Sequence, residues 1–223
     1  MNGQNILELH GSAQSKSAFA IASGPSSGLA NPDTVRNFAK DKITIGTNDV
    51  WRVLDGGPIN CDYFVILDIR FYEDHFHEIR SYLQNYPNSI PITYFDLDIP
   101  HFRIPIDMNW DARQELRGAI QRPYHPDNYF HGHSSGVAAC QFAMKLGCSE
   151  IYLLGHDLIT IPTRTHGFGI REQEKKTNYQ QGLTMRSGYD LLATHAEQEK
   201  ISIINLSAIS SLDQFPNQSE ILQ

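Results

Sequence analysis

Five polar residues stand just after short apolar runs, and their types suit one chemistry. Ser26 follows 17–22, Asn48 follows 43–46, Asp68 follows 62–67, Asp96 follows 92–95, and Asp157 follows 151–154. Apolar runs of this length, alternating with helical stretches, read as strands of a buried parallel sheet. Right-handed crossovers bring the C-terminal ends of such strands to one edge. Open α/β sheets bind ligands at that edge. Hydroxyl, amide and carboxylate groups collected there can hold a nucleotide or a phosphate, and Asp68 with Asp157 could hold Mg²⁺ between phosphates. Each aspartate taken singly is more simply a turn or helix cap. The convergence carries the inference.

Cations and histidines fall in two long irregular segments. About 158–182, the chain carries Arg164, His166, Gly167, Gly169, Arg171, Lys175 and Lys176. This composition suits a mobile lid over an anion, and equally a solvated loop. His166 and His133 have the best claim to acid–base work, because an imidazole beside a phosphate can exchange a proton near neutral pH. Residues 99–132 add Arg103, Arg122, Tyr124 and His131, which alternates with His133. Neither that pair nor His75 and His77 has a third ligand at a recognisable spacing, so no metal site is assigned. Asp96-Leu97-Asp98 is similar to the DxD of metal-dependent glycosyltransferases, but the motif is short and common by chance. No serine or cysteine sits in a nucleophile elbow.

The element that must position these groups is a helix over 136–147, capped by Ser134 or Ser135 and ended by Gly147. It is apolar on nearly every side, with Gln141 and Lys145 alone on one narrow face, so it is expected to be buried. The serine-capped start suits an anion. Gly24, in Ser23-Gly-Pro-Ser-Ser-Gly28, would let backbone approach a ligand, although the loop is neither a GxGxxG nor a P-loop. Further helices are expected at 31–40, 71–86 and 185–200, and a last strand at 201–205. The expected organisation is a flexible arm over 1–16, one nucleotide-binding domain over 17–216, and a frayed tail over 217–223.

Composition sets the remaining bounds. The 223 residues carry a formal net charge of −7, with 19% charged and 40% hydrophobic residues, as expected of a globular chain with a core. The negative balance argues against a general nucleic-acid partner. No apolar run is long enough to span a bilayer, and the first residues lack the regions of a signal peptide. The three cysteines form no CxxC pair and read as buried free thiols in a reducing, cytoplasmic setting. Self-association into a homo-oligomer stays open.

The strand into Ser23-Gly-Pro-Ser26, the strands into Asn48 and Asp68, Ser134-Ser-Gly-Val137 with its helix, and Ile151-Tyr-Leu-Leu-Gly-His-Asp157 together resemble two related groups. These are the bacterial sialyltransferases that use CMP-sialic acid and the 6-hydroxymethyl-dihydropterin pyrophosphokinases of archaeal type. The resemblance covers about 17–70 and 132–216. It implies a doubly wound, mostly parallel Rossmann-like α/β fold with a mobile lid. It also implies that Ser23, Gly24, Ser26, Asn48, Asp68, Ser135 and Gly136 contact a nucleotide, of CMP type on the sialyltransferase side.

That side implies glycosyl transfer from a nucleotide-activated donor with no cofactor. His166 would then be the base, Arg164 or Arg171 would neutralise the departing phosphate, and Asp157 would belong to the catalytic group. The pyrophosphokinase side implies diphosphate transfer with Mg²⁺ on Asp68 and Asp157. A nucleotide-binding protein without turnover is the third expectation. The sequence departs from the sialyltransferase pattern after the Gly-x-Asp strand end, where Leu158 and Ile159 replace tyrosines.

Overall fold

A computed structural model describes residues 4–54, 57–111, 128–159 and 178–223. The main sheet is built from β1 (Gln4–Asn5), β2 (Ser17–Ile21), β3 (Ile43–Thr47), β4 (Tyr63–Val65), β5 (Ile90–Thr93), β6 (Phe102–Arg103), β9 (Glu150–Leu154) and β10 (Ser202–Asn205). Its order is β1-β6-β5-β4-β3-β2-β9-β10, and every neighbouring pair is parallel. From β2 the chain steps outward to β6, then returns on the other side of β2 as β9. The order therefore reverses between β2 and β9, and a crevice is expected outside their C-terminal ends. β7 (Ile106–Asp111) and β8 (Tyr129–His131) pair in a separate two-stranded sheet. They lie within the stretch 99–132, which was expected to be irregular.

The alternation of side chains explains the two layers. Ala18, Ala20, Ile45, Val65, Ile92, Ile151 and Leu153 face one core, while Phe19, Ile21, Phe64, Ile66 and Leu154 face the other. On β2 the first face carries only alanines, Ala18 and Ala20. It receives α4 (Ser135–Leu146) through Ala138, Ala139 and Ala143, with α5 (Asn178–Gln198) packed beside it. The second face holds α1 (Pro32–Ala39), α2 (Ile69–Asp74) and α3 (Phe76–Asn85). Ser134 caps α4 by accepting from the Gly136 amide at 3.1 Å, and Gly147 ends it at φ +91°. Gln141, only 3% exposed, bonds both the amide and the carbonyl of Phe130. The Lys145 ammonium lies 4.9 Å over the Tyr129 ring.

Several expected boundaries move. The helix expected over 71–86 is split at His75, where Trp51 packs against both Phe71 and His75. The last helix starts at Asn178, so the end of the expected lid, 178–182, is helical. Cys61, Cys140 and Cys148 are free and buried, and burial pushes each thiol up, Cys61 to about 12.

Residues 4–16 do not hang loose as an arm. The amides of Gly11, Ala13 and Ser15 donate to the carbonyls of Lys145, Leu146 and Gly147 at 2.9, 2.8 and 3.3 Å. The last carbonyls of a helix have no partner within it, and this segment supplies one. Ile6 is fully buried in the same core. The tail is docked too: the Asn205 and Gln218 amides bond the Pro216 and Asn205 carbonyls, the Asn31 amide donates to the Leu222 carbonyl, and Leu222 is buried. Truncating Ile6 to alanine should therefore cost about 3 kcal/mol of unfolding free energy, the usual penalty for emptying a buried aliphatic site. Urea unfolding checks this, and a change near zero would mean that the segment is not part of the core.

Candidate functional site

The crevice at the switch point is closed by two glycines. The Gly24 amide donates to the Gly155 carbonyl at 2.9 Å. A Cβ on Gly24 would lie 2.3 Å from that carbonyl oxygen and 2.7 Å from Asp157 Oδ2. A Cβ on Gly155 would lie 2.1 Å from the Ala22 carbonyl oxygen, and its φ of +75° suits glycine. The ends of β2 and β9 can approach this closely only without side chains at both positions.

Asp157 holds the loop in place. Its Oδ2 accepts from the Ser26 amide at 2.7 Å. Its Oδ1 is buried without a hydrogen-bond partner, and the residue is 1% exposed. Burial pushes its carboxyl up to about 6, against the pull of the Ser26 amide and the Ser26 and Ser207 hydroxyls. A carboxylate so enclosed does not reach a substrate, so the catalytic place expected for Asp157 becomes a positioning one.

Ser26 also differs from expectation. Its hydroxyl donates to the Ile209 carbonyl at 3.1 Å and accepts from the Ile209 amide at 3.2 Å. Ser27 Oγ donates to the Gly24 carbonyl at 2.7 Å. These hydroxyls tie the loop to itself and to the segment after β10. That segment is fastened further: the Ser211 amide and hydroxyl donate to the Asp157 carbonyl, and the Ser210 hydroxyl donates to the His156 carbonyl. The serine-rich run Ser207-Ala-Ile-Ser-Ser211 was the sequence signal for this clamp, which the motif reading missed.

Asn48 and Ser135 do come together. Ser135 Oγ donates to Asn48 Oδ1 at 3.2 Å, which turns the Asn48 amino group the other way. Asn48 sits at φ +45°, an energetically unusual position that asparagine tolerates better than most residues. His133 and Leu158 are also left-handed, at φ +58° and +54°. All three flank the same sheet edge, and backbone strain of this kind collects at functional sites. Ser23 follows the end of β2 on that edge, half-buried.

Two other expected nucleotide contacts have structural work. Gly136 is buried because a Cβ there would lie 2.4 Å from the Tyr189 hydroxyl and 2.9 Å from His156 Nδ1. His156 and Tyr189 form a buried pair at 2.7 Å that the sequence reading missed. Burial holds the His156 imidazole down at about 4, against the Ala20 backbone, so it is neutral. Asp68 caps α2, accepting from the Arg70 and Phe71 amides, and β3 separates its strand from the crevice.

Asp96 and Asp98 pair with Arg103 and Arg80 at 3.4 Å each. Among the described residues, no group of three or more His, Cys, Asp or Glu side chains is placed to hold a metal. Arg122, Tyr124, Arg164, His166, Arg171, Lys175 and Lys176 lie outside the described residues. No described helix is long and apolar enough to cross a membrane.

No protein-family model matches the sequence, and no curated protein matches it. Solved structures do share the fold. The sialyltransferase CstII from Campylobacter jejuni, in complex with the substrate analogue CMP-3FNeuAc, is 17% identical. The match covers 93% of this chain and 87% of that one, with a TM-score of 0.54. The same enzyme with cytidine-5'-monophosphate gives 17% identity, 94% and 87% coverage, and a TM-score of 0.52. The MAf glycosyltransferase from Magnetospirillum magneticum AMB-1 is 15% identical at a TM-score of 0.60, over 94% of this chain. The match spans 34%, about a third, of that longer chain. The α/β fold with its parallel sheet is thus one found in glycosyltransferases. These comparisons lend nothing to the pyrophosphokinase side of the resemblance.

The raised Asp157 carboxyl gives a signed prediction. Its folded value lies above the ordinary 3.8, so its contribution to stability is present below about pH 4 and lost as pH rises through about 6. Asp157→Asn removes that loss. The variant should gain on the wild type by about 2 kcal/mol between pH 4 and pH 7, from a shift of about two units. His156 titrates in the opposite sense, losing stability as pH falls from 6.5 towards about 4, but it is common to both proteins and cancels in the difference. Denaturant unfolding across this range is the measurement. A pH-independent difference would show that the carboxyl is not perturbed.

Proposed function

We propose that this chain transfers a sugar from a nucleotide-activated donor bound at the β2–β9 crevice, with a CMP-type donor favoured. The observation that carries the reading is the Asn48–Ser135 pair at 3.2 Å, on the sheet edge where Gly24 and Gly155 close the crevice. A left-handed Asn48 with its oxygen engaged by Ser135 keeps its amino group as a donor for a phosphate or base oxygen. Ser23 and the backbone around Gly24 would line the nucleotide, with Asp157 and Ser26 holding that loop in shape. The fold shared with CMP-bound CstII supports the choice of nucleotide.

In this reading His166 takes the proton from the acceptor hydroxyl as the new glycosidic bond forms. The bond from sugar to phosphate breaks, and the nucleotide leaves with the electron pair. Arg164 offsets the charge growing on the phosphate. The step needs no metal, because the arginine and the crevice donors carry the charge.

Thermal-shift titration with CMP, CDP, UDP, GDP and ATP, each with Mg²⁺ and with EDTA, tests the binding part. Ligand at about a hundred times its dissociation constant adds about 2.7 kcal/mol. CMP should stabilise the protein equally in both media, and Asn48→Ala should weaken CMP binding by about tenfold. His166→Ala should lower CMP-sugar turnover by at least about a hundredfold while leaving CMP binding in place. Stabilisation only by a triphosphate with Mg²⁺ would replace glycosyl transfer with diphosphate chemistry. CMP binding without turnover of any CMP-sugar would leave a nucleotide-binding protein.

A further inference from the structure

Two neighbouring residues of α5 press on the chain that enters α4. A Cβ on Gly188 would lie 2.5 Å from the Gly132 carbonyl oxygen, so the two backbones meet there. Next along the helix, the Tyr189 hydroxyl reaches under the first turn of α4, where a Cβ on Gly136 would lie 2.4 Å from it. Tyr189 is buried, and its ring packs edge-on against Phe215 with centroids 6.5 Å apart. A phenylalanine would fill that place as well. The hydroxyl adds a polar group to the core, which is unfavourable unless it is bonded.

That hydroxyl has two partners. His156 Nδ1 lies 2.7 Å away, and the Ser134 side chain is the other. Ser134 Oγ accepts from the Gly136 amide at 3.1 Å, which leaves its own proton to donate to the Tyr189 oxygen. The Tyr189 proton then goes to His156 Nδ1, which accepts when the neutral ring carries its proton on Nε2. Burial keeps that ring neutral. The donors run in one direction, from the Gly136 amide to Ser134, to Tyr189 and to His156. They join the loop before α4, the body of α5 and the chain just past β9. Hydrogen bonds linked in this way polarise one another and favour a single geometry.

Ser134 is thus fastened inward, and the residue after it reaches outward. Ser135 Oγ donates to Asn48 Oδ1 at 3.2 Å, already long for a bond between oxygens. A small displacement of the helix start would break it.

We propose, on the reading that the Asn48–Ser135 edge binds a nucleotide, that Tyr189 is a positioning residue for that site. Its hydroxyl, acting through Ser134, fixes the start of α4 so that Ser135 meets Asn48.

Calorimetric titration with CMP and the ¹H–¹⁵N signals of the Asn48 side-chain amide test this on the full chain. Tyr189→Phe keeps the ring and removes the hydroxyl. It should weaken CMP binding by about tenfold and move the Asn48 signals of the ligand-free protein. Ser134→Ala cuts the same path one bond nearer and should do the same. Ser134→Thr keeps the hydroxyl and should hold both readouts at wild-type values. In the double variant Tyr189→Phe with Ser134→Ala the two losses should not add, because both interrupt one path. Ile6→Ala destabilises the same core from the docked segment 4–16 and should leave both readouts unchanged. Unmoved Asn48 signals in both Tyr189→Phe and Ser134→Ala would overturn the proposal and leave the His156–Tyr189 pair as core filling. A loss of CMP affinity equalled by Ile6→Ala would overturn it as well. A wild type that binds no CMP would remove the nucleotide reading instead, and the Asn48 signals alone would then decide whether Tyr189 positions the helix start.

Discussion

The close approach of two strand ends is the constraint on which the rest depends. β2 and β9 are neighbours where the strand order reverses, and the chain leaving each must turn without colliding with the other. Gly24 and Gly155 make that possible, since a Cβ on either would fall within 2.3 Å of a backbone oxygen. The Ser26 amide then meets Asp157 Oδ2 at 2.7 Å, and the Ser26 hydroxyl meets both backbone groups of Ile209. Three segments far apart in sequence are fixed by one buried carboxylate and one hydroxyl. The cost is a carboxyl group taken out of water, which burial pushes up to about 6.

Behind this junction the start of α4 is held from inside. Gly136 leaves room for the His156–Tyr189 pair, and burial keeps that imidazole neutral. In front of it, Ser135 reaches across to Asn48. The helix start is thus positioned by a buried pair on one side and a half-exposed pair on the other. A ligand on the outer side would meet groups whose geometry is already set, which lowers the ordering cost of binding.

The two edges of the sheet have different characters. The C-terminal edge is rich in amide and hydroxyl groups, and left-handed backbone occurs at both edges, at Asn48, His133 and Leu158 on this one and at Ser15 and Lys200 before β2 and β10. The N-terminal edge near β5 and β6 carries a cleft walled by Leu83, Ile90, Ile99 and three proline rings.

By itself the sequence determined the alternation of elements, the buried helix with its start at Ser134 or Ser135 and its end at Gly147, and the gathering of strand-end residues such as Ser26, Asn48 and Asp157 on one edge. Those features are local or follow from handedness: caps and strand ends are written in neighbouring residues, and right-handed crossovers align the ends. Only the tertiary structure decided which polar groups remain free for a ligand. Ser26, Gly136 and Asp68 look alike as candidates until their partners are known, and each partner is set by packing: Ile209 for Ser26, the His156–Tyr189 pair for Gly136, and the first turn of its own helix for Asp68. The docking of 4–16 was hidden for the same reason. A polar segment looks loose until the unpaired carbonyls at a helix end, far along the chain, give its amides something to bond.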